Sequence, residues 1–271
     1  MFEFDTYLTG LAITLSIALA TWIVSLVKRD VSIVDSVWAI FILAAGLTFV
    51  AVLPEHGPRT SWILLMVTTW AFRLSGYLTW RNWGQPEDRR YQAIRQRNQP
   101  HFAVKSLWLV FILQAVMAWL VSLPLLAALS SQTPMGWLDF LGIAIWTLGF
   151  VHESLADWQL ARFKADPDHH GKVMNQGLWR YSRHPNYFGE CLVWWGFFTL
   201  ALAAGGWWSV ISPLFMTFLL LKVSGVSLLE QDIEERRPEY RNYILSTNAF
   251  LPGPPRTGQQ PNTKRNSEVA S

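Results

Sequence analysis

The run Trp179-Arg180-Tyr181-Ser182-Arg183-His184-Pro185-Asn186-Tyr187-Phe188-Gly189-Glu190 sets cationic, amide and carboxylate groups around one proline, immediately before a membrane-length apolar segment. Pro185 fixes its own φ and has no N–H, so it suits the first position of a helix. The free N–H groups of that first turn then face the same water as Arg183 and His184, an outline that suits an anion. Asn186 and Glu190 are four residues apart and share one helix face, and a carboxylate inside a spanning segment points to function by default. The plainer alternative is a juxtamembrane basic patch behind a helix cap.

Three further constellations carry polar chemistry. His152, Glu153 and Asp157 end an apolar stretch, with the two carboxylates one helical turn apart, and lead into a polar loop holding Lys164, His169, His170 and Lys172. Metal binding by Glu153, Asp157, His169 and His170 is conceivable, but Asp166-Pro167-Asp168-His169-His170 has the composition of a solvated turn, so no metal is expected. Lys222 lies within the last apolar run and is followed by Glu230, Gln231, Asp232, Glu234 and Glu235 and by Tyr240-Arg241-Asn242-Tyr243; a lysine that deep calls for an anionic partner. In the N-terminal half, Asp35 and Trp38 open the second apolar run. Arg73, Tyr77 and Arg81 descend the third in four-residue steps along one face, and Gln114 sits alone in the fourth. Asp35 is either a catalytic acid, with Tyr77 beside it, or the structural partner of Arg73; Trp38, Arg73 and Gln114 are the candidate substrate-pocket residues, with Gln114 alternatively an interhelical hydrogen-bonding group.

The elements that must position these groups are membrane helices. Apolar residues make up 51% of the chain and charged residues 15%, against roughly 25% in soluble domains. Seven segments of spanning length are expected near 8–27, 32–53, 61–80, 106–129, 136–157, 187–204 and 207–229, which makes the chain an all-α, polytopic membrane protein with one domain over 1–251. Lys and Arg cluster after the first, third and fifth segments and in the tail, whereas the opposite loops carry only Arg59. The positive-inside rule then puts the N-terminus outside and the C-terminus in the cytoplasm of, we expect, a bacterial inner membrane, with the polar motifs opening inward. The net charge of +3 reflects loops beside an anionic leaflet, and nucleic acid is not an expected partner. The single cysteine, Cys191, excludes an internal disulfide and a multi-thiolate metal site. Residues 252–271, rich in Pro, Gly, Asn, Gln and Ser, are expected to be a disordered tail.

The stretch from Gly177 to Glu190 resembles the C-terminal signature of the steroid 5α-reductase superfamily, particularly its bacterial DUF1295 branch. Asp157, Lys222-Val223-Ser224-Gly225-Val226, Leu229-Glu230 and Pro238-Glu239-Tyr240-Arg241-Asn242-Tyr243 through Pro252 follow the same order. The Asp35 and Trp70-to-Asn82 segments are similar more weakly. The resemblance implies a seven-helix membrane reductase with a cytoplasmic-facing NADPH pocket, reducing a carbon–carbon double bond conjugated to a carbonyl in a steroid-like or other lipid substrate. It implies that Asp157, Asn186 and Glu190 contact the cofactor, that Arg183, Lys222 and Arg241 lie near its phosphates, and that Tyr181, Tyr187 and Glu230 line the site, with Lys164, Lys172 and His184 among the cofactor-facing groups. The steroid reductases share a Glu and Tyr pair that polarises the substrate ketone; here Asp35 stands nearest to the carboxylate, Trp70 occupies the tyrosine's place, and Tyr77 is the substitute. Arg183-His184-Pro185 followed by an aromatic residue and a glutamate is also similar to the isoprenylcysteine carboxyl methyltransferases. That rival reading replaces NADPH by S-adenosylmethionine, and a non-enzymatic membrane protein is the third.

Overall fold

The computed structural model describes residues 2–223 and 238–256, and every regular element among them is helical. Helices α1 (Phe4–Lys28), α2 (Ile33–Val52), α3 (Thr60–Asn82) and the short α4 (Arg89–Arg97) are followed by α5 (Phe102–Leu129), α6 (Trp137–Ala165), α7 (Pro185–Ala203), α8 (Trp207–Val223) and α9 (Tyr240–Ser246). Among the described residues four helices, α1, α2, α5 and α6, are long and apolar enough to cross a membrane. Of the seven expected spans, those near 61–80 and 187–204 form helices of adequate length. Arg73 and Arg81 in the first, and Asn186, Glu190, glycines and tryptophans in the second, keep them below that apolar standard. The last expected span runs into residues outside those described.

Local sequence explains the elements. Asp5 in the first turn of α1 and Lys28 in its last complement the helix dipole, and Arg29, at φ 54°, turns the chain out of the helix while its N–H bonds the Ser25 carbonyl. The hydroxyls of Thr9, Ser16, Thr21, Thr48, Ser154 and Thr199 each donate to the carbonyl one turn back, so these polar side chains need no other partner in an apolar setting. Leu8, Leu19, Ile23 and Val27 stay exposed along α1, as do Leu65, Phe72, Phe140 and Leu148 on α3 and α6. Apolar side chains left outward on helices of this length mark a protein that lipid surrounds.

The chain divides into two compact units, Met1–Trp146 with Trp194–Phe215, and Thr147–Val193 with Met216–Ser271. The first has a core of Phe41, Phe49, Ile63, Val67, Trp70, Phe111, Leu125 and Leu126. Tyr7 and Trp119 stack at 4.1 Å, and each donates to the other's backbone carbonyl. At the start of α3 the fully buried Arg59 grips Asp139 through Nε to Oδ1 at 2.7 Å and Nη2 to Oδ2 at 2.9 Å, and donates from Nη1 to the Thr133 carbonyl. Removing either partner alone would strand a buried charge, at a cost of about 3–5 kcal/mol.

Helices α6 and α7 pack backbone to backbone. In the first unit a Cβ on Gly196 would stand 2.7 Å from the Trp146 backbone nitrogen, and one on Gly142 3.0 Å from the Gly196 carbonyl. In the second, a Cβ on Gly189 would meet the Glu153 nitrogen at 2.6 Å and one on Gly149 the Gly189 carbonyl at 2.7 Å. The two glycines of each helix are seven residues apart, so they fall on one stripe and permit the close approach.

Candidate functional site

Two polar clusters stand out, one in each unit. The first is built on Asp35, in the first turn of α2. Its Oδ2 accepts from Arg90 Nη2 at 2.7 Å and its Oδ1 accepts from the Tyr91 hydroxyl at 2.5 Å; the phenol oxygen in turn accepts from Gln114 Nε2 at 2.8 Å. The partner of Asp35 is therefore Arg90 and not Arg73, the structural partner offered by one of the two readings of Asp35. Arg90 and Tyr91 sit on α4, an amphipathic helix within what reads in sequence as a basic loop. Asp88 caps α4 by accepting from the Arg90 N–H at 2.9 Å and also bonds Arg90 Nε at 3.0 Å.

The whole 87–98 segment is tied down. The Asp88 N–H donates to Ser32 Oγ, the Val31 N–H donates to Glu87 Oε1, and Arg95 forms a two-pronged bridge to Glu87 at 2.8 and 2.7 Å while lying over the Phe102 ring. Burial alone would raise the Glu87 carboxyl, but the Arg95 bonds and charge and the Val31 N–H outweigh it and hold the group below its usual range. Asp88 is likewise held low, because Arg90's hydrogen bonds and charge overcome the effect of burial. Burial first, and then the Asp35 charge, push the Tyr91 phenol well above its ordinary value, so at neutral pH it is a hydrogen-bond donor and not a phenolate.

The second cluster surrounds the proline motif. Helix α7 begins at Pro185 as the sequence predicts. Asp157 and Glu190 are buried, at 4% and 5% exposure, and Asn186 Nδ2 donates to Asp157 Oδ1 at 3.1 Å. With its amide nitrogen committed to Asp157, Asn186 presents Oδ1 as a buried acceptor with no hydrogen-bond partner among the described residues. His184 stacks in parallel on Tyr187 at 5.5 Å, and its N–H bonds Ser182 Oγ.

The loop before Pro185 is held from two sides. From α6, Gln159 accepts the Leu178 N–H and the Ala156 carbonyl accepts from the Trp179 indole; Gly177 takes φ 58° where any side chain would strike Gln159. From the C-terminal segment, the Tyr243 hydroxyl donates to the Trp179 carbonyl, Ser182 Oγ donates to the Phe250 carbonyl, and the Gly253 N–H donates to the Tyr181 carbonyl. Arg183 is buried there: its N–H bonds the Asn248 carbonyl and its Nη1 donates to the Ile244 and Thr247 carbonyls at the end of α9. A cation against a helix C-terminus is a structural clamp. Ordered bonding continues through Arg256, whose N–H reaches the Ser246 carbonyl, so the fold extends past the expected boundary at Pro252.

Beside this cluster lies a polar pocket of about 400 Å³ lined by Phe163, His169, Lys172, Gln176, Asn242 and Tyr243, among others, with His169 stacked on Phe163 at 4.2 Å. The family described as "Protein of unknown function (DUF1295)" matches residues 21–247. The chain belongs to this DUF1295 family. An uncharacterised protein of Schizosaccharomyces pombe is 26% identical over 280 residues, covering 92% of this chain and 80% of the relative. No solved structure matches the chain.

Both clusters of this DUF1295 protein lie inside the matched span, whereas the 248–256 bonds to the motif lie beyond it. Of the expected site residues, Asp35 and Gln114 come together through Tyr91, and Asp157 and Asn186 meet in the second unit, where Glu190 is buried one turn further along α7. Tyr77 stands on α3 with the guanidinium carbons of Arg73 and Arg81 at 5.6 and 5.8 Å from its ring, and Trp38 packs edge-on against Trp70. Lys172 lines the polar pocket; Lys164, Lys222, Arg241 and Tyr181 are exposed, and Glu230 lies outside the described residues. Lys222 falls in a π-helical turn, Leu219–Val223, a distortion frequent at functional sites. Arg90 and Tyr91 are the residues the sequence reading lacks; the signal for them is Asp88 ahead of Arg89-Arg90-Tyr91-Gln92-Ala93-Ile94, a capped helix with one aromatic face.

Proposed function

We propose that this DUF1295 protein is an integral-membrane, NADPH-dependent reductase of a carbon–carbon double bond conjugated to a carbonyl in a lipid-like substrate, allied to the steroid 5α-reductase superfamily. The observation that carries the reading is the Asp35–Tyr91–Gln114 chain. It joins a carboxyl and a phenol, the pair of groups that the resemblance assigns to ketone polarisation, and it supports Tyr91, in place of Tyr77, in the tyrosine role.

Tyr91 is kept protonated, and its single O–H, donated to Asp35 Oδ1 in the resting cluster, turns to the substrate carbonyl oxygen, where it stabilises the negative charge that develops as the enolate forms. Asp35 and Gln114 fix the phenol's orientation, and Arg90 fixes Asp35. The second cluster suits the nicotinamide cofactor. Asn186 Oδ1 is a ready acceptor for a carboxamide or ribose donor, and the buried Asp157 and Glu190 carboxylates accept hydroxyl donors. Lys172, which lines the polar pocket, and the exposed Lys164 and Arg241 supply positive charge for phosphates. Bound NADPH supplies the hydride that goes to the β-carbon. Arg183 has the clamping role described above, which leaves the phosphates to these exposed cations.

Purification in detergent followed by extraction of bound small molecules tests the reading. NADP in the extract, and loss of reduced-nicotinamide absorbance on adding an enone, are the expected results. Recovery of S-adenosylmethionine instead would overturn the reductase in favour of the methyltransferase.

A further inference from the structure

Helices α2 and α3 enclose a groove of about 600 Å³, lined by Ser36, Ile40, Phe72, Ser75, Gly76, Thr79, Trp80 and Trp83. Ser36 follows Asp35, but successive helix residues are turned by about 100°, so the groove lies on a different face of α2 from the Asp35 cluster. Its size falls within the roughly 300–1,000 Å³ of small-molecule sites.

Its polarity is arranged by depth. Trp80 and Trp83, 64% and 78% exposed, stand at the end of α3, where aromatic side chains mark the membrane–water boundary. Ser75 lies five residues further in than Trp80 and eight further than Trp83, about 8 and 12 Å along the helix. It is only 9% exposed and its Oγ has no hydrogen-bond partner among the described residues, unlike the serines and threonines above that bond back to their own helices. An unsatisfied hydroxyl in an apolar setting costs free energy unless a ligand meets it. Ser36 and Thr79 add hydroxyls to the same lining, and a Cβ placed on Gly76 would meet nothing within 4 Å, so the groove is open at that level.

We infer that this groove is a second binding site, apart from the Asp35–Tyr91 cluster, for one uncharged lipid that carries a single hydroxyl or carbonyl. None of the lining residues is charged, which excludes recognition of an ionic headgroup, and the hydrogen-bonding floor lies too deep for a phospholipid headgroup held at the tryptophan level. The apolar body packs on Phe72, Ile40, Trp80 and Trp83, and the oxygen bonds Ser75.

Photolabelling of the purified protein in nanodiscs tests this without cofactor or turnover, so its result is independent of the reductase reading. The probes are a long-chain primary alcohol bearing an alkyl diazirine and its matched hydrocarbon, and the readout is labelled peptide from residues 72–83. The alcohol should label the wild type at least about tenfold more than the hydrocarbon, and excess hexadecanol should compete where hexadecane does not. Gly76→Leu projects from a position where an added Cβ meets nothing within 4 Å into the open groove, so it should abolish labelling with thermal stability unchanged or raised. Ser75→Ala should reduce alcohol labelling to the hydrocarbon level. Equal labelling by the two probes, meaning bulk lipid contact only, or unchanged labelling in Gly76→Leu or Ser75→Ala, would overturn the site.

Discussion

Tyr91→Phe separates a catalytic phenol from a structural one. The substitution removes one oxygen and two hydrogen bonds, leaving Gln114 Nε2 without its acceptor and Asp35 Oδ1 without its donor. Asp35 keeps Arg90 on Oδ2, and Arg90 keeps Asp88, so no charge is stranded. The stability loss should therefore be that of one buried amide donor and one partly wetted acceptor site, about 1–3 kcal/mol. If Tyr91 is the donor to the developing enolate, turnover should fall by about 10²–10³-fold, as for loss of one oxyanion donor, with NADPH affinity unchanged. The two losses are measured on one preparation: single-turnover oxidation of NADPH by an enone with enzyme in excess, thermal unfolding, and cofactor binding. Asp35→Asn extends the test, because an amide keeps the shape and one acceptor but no longer balances Arg90. In the double variant the two turnover losses should combine to much less than their product, since both act through one phenol. A Tyr91→Phe protein that is less stable yet turns over within about threefold of wild type would refute the catalytic assignment and leave the cluster as a brace for α4.

Other consequences can be measured as directly. The carboxyls of Glu87 and Asp88 are held below their ordinary values, so folding gains stability from them above those values and loses it as pH falls through the lowered ones; amide protection factors over residues 83–101, corrected for the intrinsic rate, should fall on acidification below about pH 4, and Glu87→Gln should lower them at neutral pH. Gly189→Val places a side chain against the Glu153 backbone, which cannot yield as a flexible side chain would, and should cost about 3 kcal/mol or more in thermal or denaturant unfolding. Asn186→Ala should raise the NADPH Kd at least about tenfold, read by cofactor fluorescence, because it removes the buried Oδ1 acceptor.

The sequence made the helix start at Pro185 legible, because proline's missing N–H and fixed φ have one natural place there. The shared face of Asn186 and Glu190 is a matter of helical spacing, as is the turn between Glu153 and Asp157. What escaped was tertiary. Asp35 invited a partner from a neighbouring span, and Arg73 was the arginine deepest within one. The actual partner lies on a nine-residue helix too polar to register as part of a membrane fold, and only Asp88 at its cap gives it away. Gly142 and Gly149, and Gly189 and Gly196, carry their meaning as a pair of seven-residue spacings. That pattern becomes informative only when the two helices are known to be neighbours. Arg183 stood beside His184 as a cation for an anion. Nothing within its own segment says that the carbonyls it clamps are those of Ile244 and Thr247, some sixty residues on.

That last arrangement bears on how the protein is made. The loop before Pro185 is shaped by Tyr243, Thr247, Asn248, Phe250 and Gly253, so it has no finished form until the end of the chain exists. At roughly 5–20 residues per second, several seconds of synthesis separate the motif from its brace. During that interval Arg183 would stand unclamped at the membrane surface, where an insertion factor or an anionic headgroup could hold it. A chain stopped at Ser246 would never close the loop, and a fusion partner belongs after Arg256.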